Sequence, residues 1–216
     1  MDLSAGQWIA IALVLSLGIG YMIGGWLNRR IKQQAQHWLS RGVREALGVP
    51  FEHFTQDGET GLAAIEPPAP FLTFEAVFAL QKREWWPLWL FSRLKGKGDE
   101  LILKASLRPR VPMEWEILPK RAHGVRAPAP GFARMVGLPL PKEKWIAWAR
   151  PAPANPARPN WEPLFKRYAS LLRGVSLRYE EPHLVVHLDL AAAMKTPAQD
   201  LIHTLQQMWD LAEHKK

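Results

Sequence analysis

Hydrophobic and polar positions along this chain change period several times, and each change marks an element. From Trp8 to Leu27 there is no period at all: 20 residues run without a charge or a proline. At about 1.5 Å of rise per residue, a helix of that length covers roughly 30 Å, the thickness of a bilayer's hydrocarbon core. The run predicts a transmembrane helix over 8–27. Trp8 and Trp26 stand near its two ends, where indole rings favour the membrane–water interface.

Beyond Leu27 the pattern becomes helical and two-faced. Ile31, Ala35, Trp38, Leu39, Val43 and Leu47 recur on one side while Arg and Gln occupy the other, and Gly48 and Pro50 are stop signals. Residues 28–50 therefore read as a juxtamembrane amphipathic helix. Residues 51–70 lose the period and hold Asp57-Gly58-Glu59 and Glu66-Pro67-Pro68-Ala69-Pro70, so they read as a linker.

Period two begins after it. Leu72, Phe74, Ala76, Phe78 and Leu80 alternate with polar residues, as in a half-buried strand. Pro87 to Leu94 reads as a second strand, joined to a third at Glu100 to Leu107 across Lys95-Gly-Lys-Gly-Asp99. Met113, Trp115 and Ile117 belong to a fourth, and Lys144 to Ala149 is a fifth. Residues 119–142, rich in Pro, Gly and Arg, read as surface loop, and Pro151 to Pro159 as a stiff connector. Asn160 is placed to cap a helix carrying Trp161, Leu164, Phe165, Tyr168, Leu171 and Leu172, stopped at Gly174. A hairpin follows, Val175 to Tyr179 against Leu184 to Leu190. A closing helix opens at the capping box Thr196-Pro197-Ala198-Gln199. The order predicts an α+β fold over 71–216, with helices packed on an antiparallel sheet.

Flanking charge gives an orientation. Arg29, Arg30, Lys32, Arg41 and Arg44 follow the span and no basic residue precedes it, and basic flanks stay cytoplasmic. Residues 1–7 are then a short extracytoplasmic tail, and the domain lies on the cytoplasmic side of the plasma membrane. The start Met1-Asp2, the length of the apolar run and the bulky Trp26-Leu27 favour a retained signal anchor over a cleaved signal peptide.

Charge and composition refine this picture. Residues 71–150 carry a net +8, equal to the excess of the whole chain. Such a surface, held near a cytoplasmic leaflet, faces anionic headgroups, which makes anionic lipid a candidate partner. The absence of cysteine excludes disulfides, cysteine-ligated metal and thiol catalysis.

Candidate sites are few. Ala12, Ser16, Gly20 and Gly24 fall four apart on one face of the span, a small-residue stripe. It reads either as a seam for a second copy or another membrane protein, or as the ordinary glycine content of membrane helices. Trp85, Trp86 and Trp89, with Arg93 and Lys95, suit a membrane-interface patch, or else belong to a strand buried on both faces. His183, His187 and Asp189 share one strand face, but four strand residues span about 13 Å, too far for both imidazoles to hold one ion. No metal, cofactor or catalytic constellation emerges, and the chain reads as a binding, adaptor or assembly module for a membrane complex rather than an enzyme. The alternatives are an anchored enzyme acting on lipid or phosphate groups through Arg121, His123 and Arg126, and, least favoured, a tethered nucleic-acid-binding domain.

Overall fold

A computed structural model of the chain describes residues 4–56, 59–108, 111, 113–120, 131–135, 145–150 and 161–213. One helix, α1, runs unbroken from Ala5 to Leu47, so the predicted span and the predicted juxtamembrane helix are a single element. Ser4 caps it: its hydroxyl accepts from Gln7 N, and the Gln7 side chain answers by accepting from Ser4 N at 2.8 Å. Gly48 ends it with φ 69°, the left-handed conformation that glycine adopts without a Cβ clash.

The rest of the chain builds one sheet of nine strands, ordered β1-β2-β3-β4-β9-β8-β5-β7-β6, with every neighbouring pair antiparallel. The strands are β1 (Phe51–Gln56), β2 (Glu59–Ala64), β3 (Phe71–Ala79), β4 (Glu100–Leu107), β5 (Glu114–Pro119), β6 (Ala133–Met135), β7 (Trp145–Arg150), β8 (Leu172–Leu177) and β9 (Leu184–Asp189). The helices beside α1 are α2 (Trp86–Leu94), α3 (Glu162–Tyr168), α4 (Leu190–Ala193) and α5 (Ala198–Glu213). The α+β class with an antiparallel sheet and packed helices is as the sequence predicts.

The core lies between the sheet and three helices. Leu101 and Leu103 of β4 and Leu184, Val186 and Leu188 of β9 point inward, with the intervening residues only half-buried, as period two requires. Ala35, Leu39 and Val43 of α1 close over them, together with Leu201, Leu205 and Met208 of α5 and Leu164 and Phe165 of α3. Phe165 stacks edge-on against Trp145 of β7, centroids 5.0 Å apart. The crossing of α1 and α5 is close because Gly42 has no side chain. A methyl group there would come within 2.2 Å of Ala198 Cβ and 2.8 Å of Gln199 N. Trp38 Nε1 donates to Thr196 O at 2.8 Å beside this crossing.

Three expectations need correction. Residues 51–70 are largely not a linker: β1 and β2 form a hairpin on the edge of the sheet, with Gln56 paired to Glu59. Only two residues separate them in the sequence. The segment from Trp86 to Leu94 is a helix and not a strand. Pro87 sits in its first turn, where a missing N–H costs nothing, and Gly96, with φ 74°, follows its end. The helix predicted over 161–172 stops at Tyr168, because Leu172 already pairs with Leu188 in the sheet. Its expected cap, Asn160, lies outside the described residues.

Candidate membrane-facing site

α1 changes character along its length. It is the one described helix long and apolar enough to cross a membrane, and only 6% of its most apolar window is buried, unlike a core helix of a soluble protein. Its exposed side chains include Trp8, Leu13, Val14, Leu15, Ile19, Met22 and Trp26. Ala12 and Ser16 of the small-residue stripe are exposed as well. Gly20 and Gly24 are not free: they receive the chain's own α2 and the loop before it. A methyl group at Gly24 would meet Arg83 O at 2.3 Å and Glu84 N at 2.6 Å, and one at Gly20 would meet the Trp86 ring at 2.2 Å. The close approach that small residues allow is here used within one chain.

α2 is nine residues long and none of them is buried. Leu88, Leu94 and the preceding Trp85 are 61%, 79% and 62% exposed, and Leu90 and Phe91 are also open. An isolated helix this short is marginal in water, and its stability comes from what its apolar face meets. The cations of the patch fold back over its rings: Lys95 Nζ lies 4.2 Å from the Phe91 centroid, and the Arg93 guanidinium 5.9 Å from the Trp89 centroid. Trp85, Trp86, Trp89, Arg93 and Lys95 thus occupy one projecting element that is contiguous with the exposed part of α1.

A buried polar clasp joins the two helices to the sheet at the end of the apolar run. Asn28 Nδ2 donates to Gln81 O (3.1 Å) and to Glu84 Oε1 (3.0 Å), while Asn28 Oδ1 accepts from Arg83 Nη1 at 2.6 Å. Arg83 reaches both oxygens of Asp99, at 3.1 and 2.5 Å, and Gln81 N donates to Asp99 Oδ1 at 2.9 Å. The Arg83 and Asp99 side chains are only 10% and 9% exposed, so the fork-to-carboxylate pair is largely desolvated and bidentate. Sequence reasoning missed this clasp, since Asn28 lies more than 50 residues from its partners and none of the members belongs to a motif.

Beside the clasp, between α1 and the ends of β2, β3 and β4, lies an open cavity of about 1060 Å³. Its walls change along α1 from Tyr21, Met22 and Trp26 to Arg29 and Lys32, and Lys82 faces them from the β3–α2 loop.

The histidine face is structural in character. His183 Nδ1 accepts from Leu107 N at 2.9 Å, and His187 Nδ1 lies 2.9 Å from Glu100 Oε1. Asp189 accepts from Arg173 Nη2 at 2.6 Å and caps α4 by accepting from Ala192 N at 3.0 Å. Partial burial pushes the Asp189 carboxyl up, but Arg173 and the α4 amides outweigh it and hold it below the usual carboxylate range. Among the described residues no three His, Asp or Glu side chains gather as a metal site. Arg121, His123 and Arg126 lie outside the described residues. The chain matches no protein-family model and no curated protein, so the reading of its function rests on its own geometry.

Proposed function

We propose that this protein is a single-pass plasma-membrane protein whose α+β domain lies on the cytoplasmic face and serves as a binding and assembly module for a membrane complex. The observation that carries the reading is the docking of α2 and the loop before it on Gly20 and Gly24. Those glycines lie three and seven residues inside Leu27, about 5 and 10 Å along the helix axis. That is the depth, about 5–10 Å, at which amphipathic helices rest at the headgroup–acyl boundary. The span and α2 then grip the bilayer at two points, and the clasp at Asn28 fixes the sheet to both. A domain held at one height and one orientation offers the same surface to a neighbouring membrane protein at every encounter. That supports an adaptor better than a tethered enzyme, which needs freedom to meet its substrate. The basic residues after the span, Arg29, Arg30 and Lys32, support the cytoplasmic placement.

The test is isolation of the full chain under gentle solubilisation. One membrane protein recovered in fixed stoichiometry, and lost when Trp85, Trp86 and Trp89 are all replaced by serine, is the expected result; recovery of the chain alone counts against the reading. The chain has no cysteine, so a single Leu94→Cys substitution reports depth directly. In vesicles this thiol should resist a membrane-impermeant maleimide, whereas Leu72→Cys, exposed on the sheet, should react fully.

A further inference from the structure

The cavity beside α1 combines two chemistries at one level of the membrane. Its upper wall is Tyr21, Met22 and Trp26, which belong to the apolar run, and its lower end carries Arg29, Lys32 and Lys82. Two acids also border it, but both are engaged: Glu84 accepts from Asn28, and Glu100 is bonded to His187. The cations are not. Among the described residues Lys32 and Lys82 have no hydrogen bond or ion pair, and Arg29 reaches only the Gly25 carbonyl of its own helix at 3.4 Å. Three cations against two carboxylates leave a net formal charge of +1 around one space, at the height where lipid phosphates sit. At about 1060 Å³ the space is slightly larger than the usual range for small-ligand sites, roughly 300–1,000 Å³.

We propose that this cavity holds one anionic phospholipid from the leaflet facing the domain, its phosphate among Arg29, Lys32 and Lys82 and its acyl chains along Tyr21, Met22 and Trp26. The inference rests on the reading of α1 as a membrane span. An anionic lipid is favoured over a zwitterionic one because the latter brings its own cation into a site whose cations already outnumber its carboxylates. It is favoured over free phosphate because half of the wall is apolar and gains only from acyl contact. The bound lipid would become a structural part of the docking between α1 and the β3–α2 loop.

The experiment uses the full chain in two kinds of vesicle, phosphatidylcholine alone and an equal mixture with phosphatidylglycerol, followed by flotation and by native mass spectrometry of the released protein. One phosphatidylglycerol retained per chain is expected, and inorganic phosphate should not displace it. Lys32→Gln and Lys82→Gln should each weaken retention about fivefold, equivalent to about 1 kcal/mol per cation. Gly25→Leu attacks the other end without touching charge. A Cβ at Gly25 meets only Glu84 Cγ at 4.0 Å, so the new side chain fits the helix and fills the apolar wall, and retention should be lost. Equal retention of both lipids, undiminished retention in the lysine variants, or displacement by inorganic phosphate would overturn the lipid site while leaving the anchor standing. A chain that floats with neither vesicle would overturn both.

Discussion

The two halves of α1 are one helix with two surfaces, the first apolar and exposed enough to cross a membrane, the second packed on the domain. Toward its start Leu13, Val14 and Leu15 are exposed in succession, with no face spared. Toward its end Ala35, Leu39, Val43 and Leu47 are buried in a stripe, flanked by Gly42 and the half-buried Ile31, Trp38 and Ala46, while Arg41, Arg44 and Glu45 on the other side are exposed. A helix that is apolar all round needs an apolar surrounding, while a stripe needs only a flat partner. The difference shows that hydrophobicity alone does not say what a helix buries against; its periodicity does. Glycine follows the same division. Gly42 admits α5 in the packed half, Gly20 and Gly24 admit α2 and its loop in the other, and Gly18 faces open space.

The joint between the halves is the most sensitive point. Replacing Asp99 by alanine strands Arg83 as a largely buried charge, and loss of one partner from such a pair costs about 3–5 kcal/mol. Denaturant unfolding of the detergent-solubilised chain should register this as the largest single loss. Next comes a matched pair of truncations. Leu39→Ala should lower the unfolding free energy of the domain by about 2–5 kcal/mol, because Leu39 is fully buried. Leu15→Ala, equal in chemistry, should leave that transition unmoved. Equal effects of the two would erase the distinction between the halves.

A glycine pair sharpens the comparison further. Gly42→Ala forces a methyl group against the backbone of α5, and overpacking of this kind costs about 1–3 kcal/mol against a helix-propensity gain of about 1 kcal/mol. Gly18→Ala meets no atom and should be neutral in the same unfolding measurement. The smallest effect concerns pH and belongs to the domain alone. The Asp189 carboxyl titrates lower in the folded state than its unfolded value of about 3.9, so its contribution is present above that value and disappears as pH falls through the folded one. Asp189→Asn should flatten the acid limb of the stability curve, whereas Asp189→Ala should also remove the α4 cap at a cost of about 1 kcal/mol.

Much of this architecture was legible in the residues. The strands Glu100–Leu107 and Leu184–Asp189 fall within the runs that read as strands, the second with strict alternation of burial, and the stripe from Ala35 to Leu47 is the buried face of α1. The failures have physical causes. β1 and β2 carry little apolar alternation, because a hairpin on the sheet's edge has less to bury and Gly61 leaves its place to the Phe54 ring, 2.2 Å from where a Cβ would stand. α2 misled because a short continuous apolar run suits a strand and a helix equally. The bracket of Pro87 and Gly96 was the signal that separates them. Of the candidate site, the tryptophans and the glycine stripe were visible, but that they touch each other was not. The contact joins positions more than 60 residues apart, and no periodicity encodes it.

An uninterrupted α1 has a mechanical consequence. Its 43 residues form a rod about 65 Å long with no hinge between lipid and protein. Membrane helices lean by about 20° on average and adjust that lean to bilayer thickness. Any such adjustment swings the rod as a whole, and the sheet bolted to its far end must swing with it. With α1 in the proposed position across a bilayer, local thinning or thickening of the lipid would become a rotation of the whole domain.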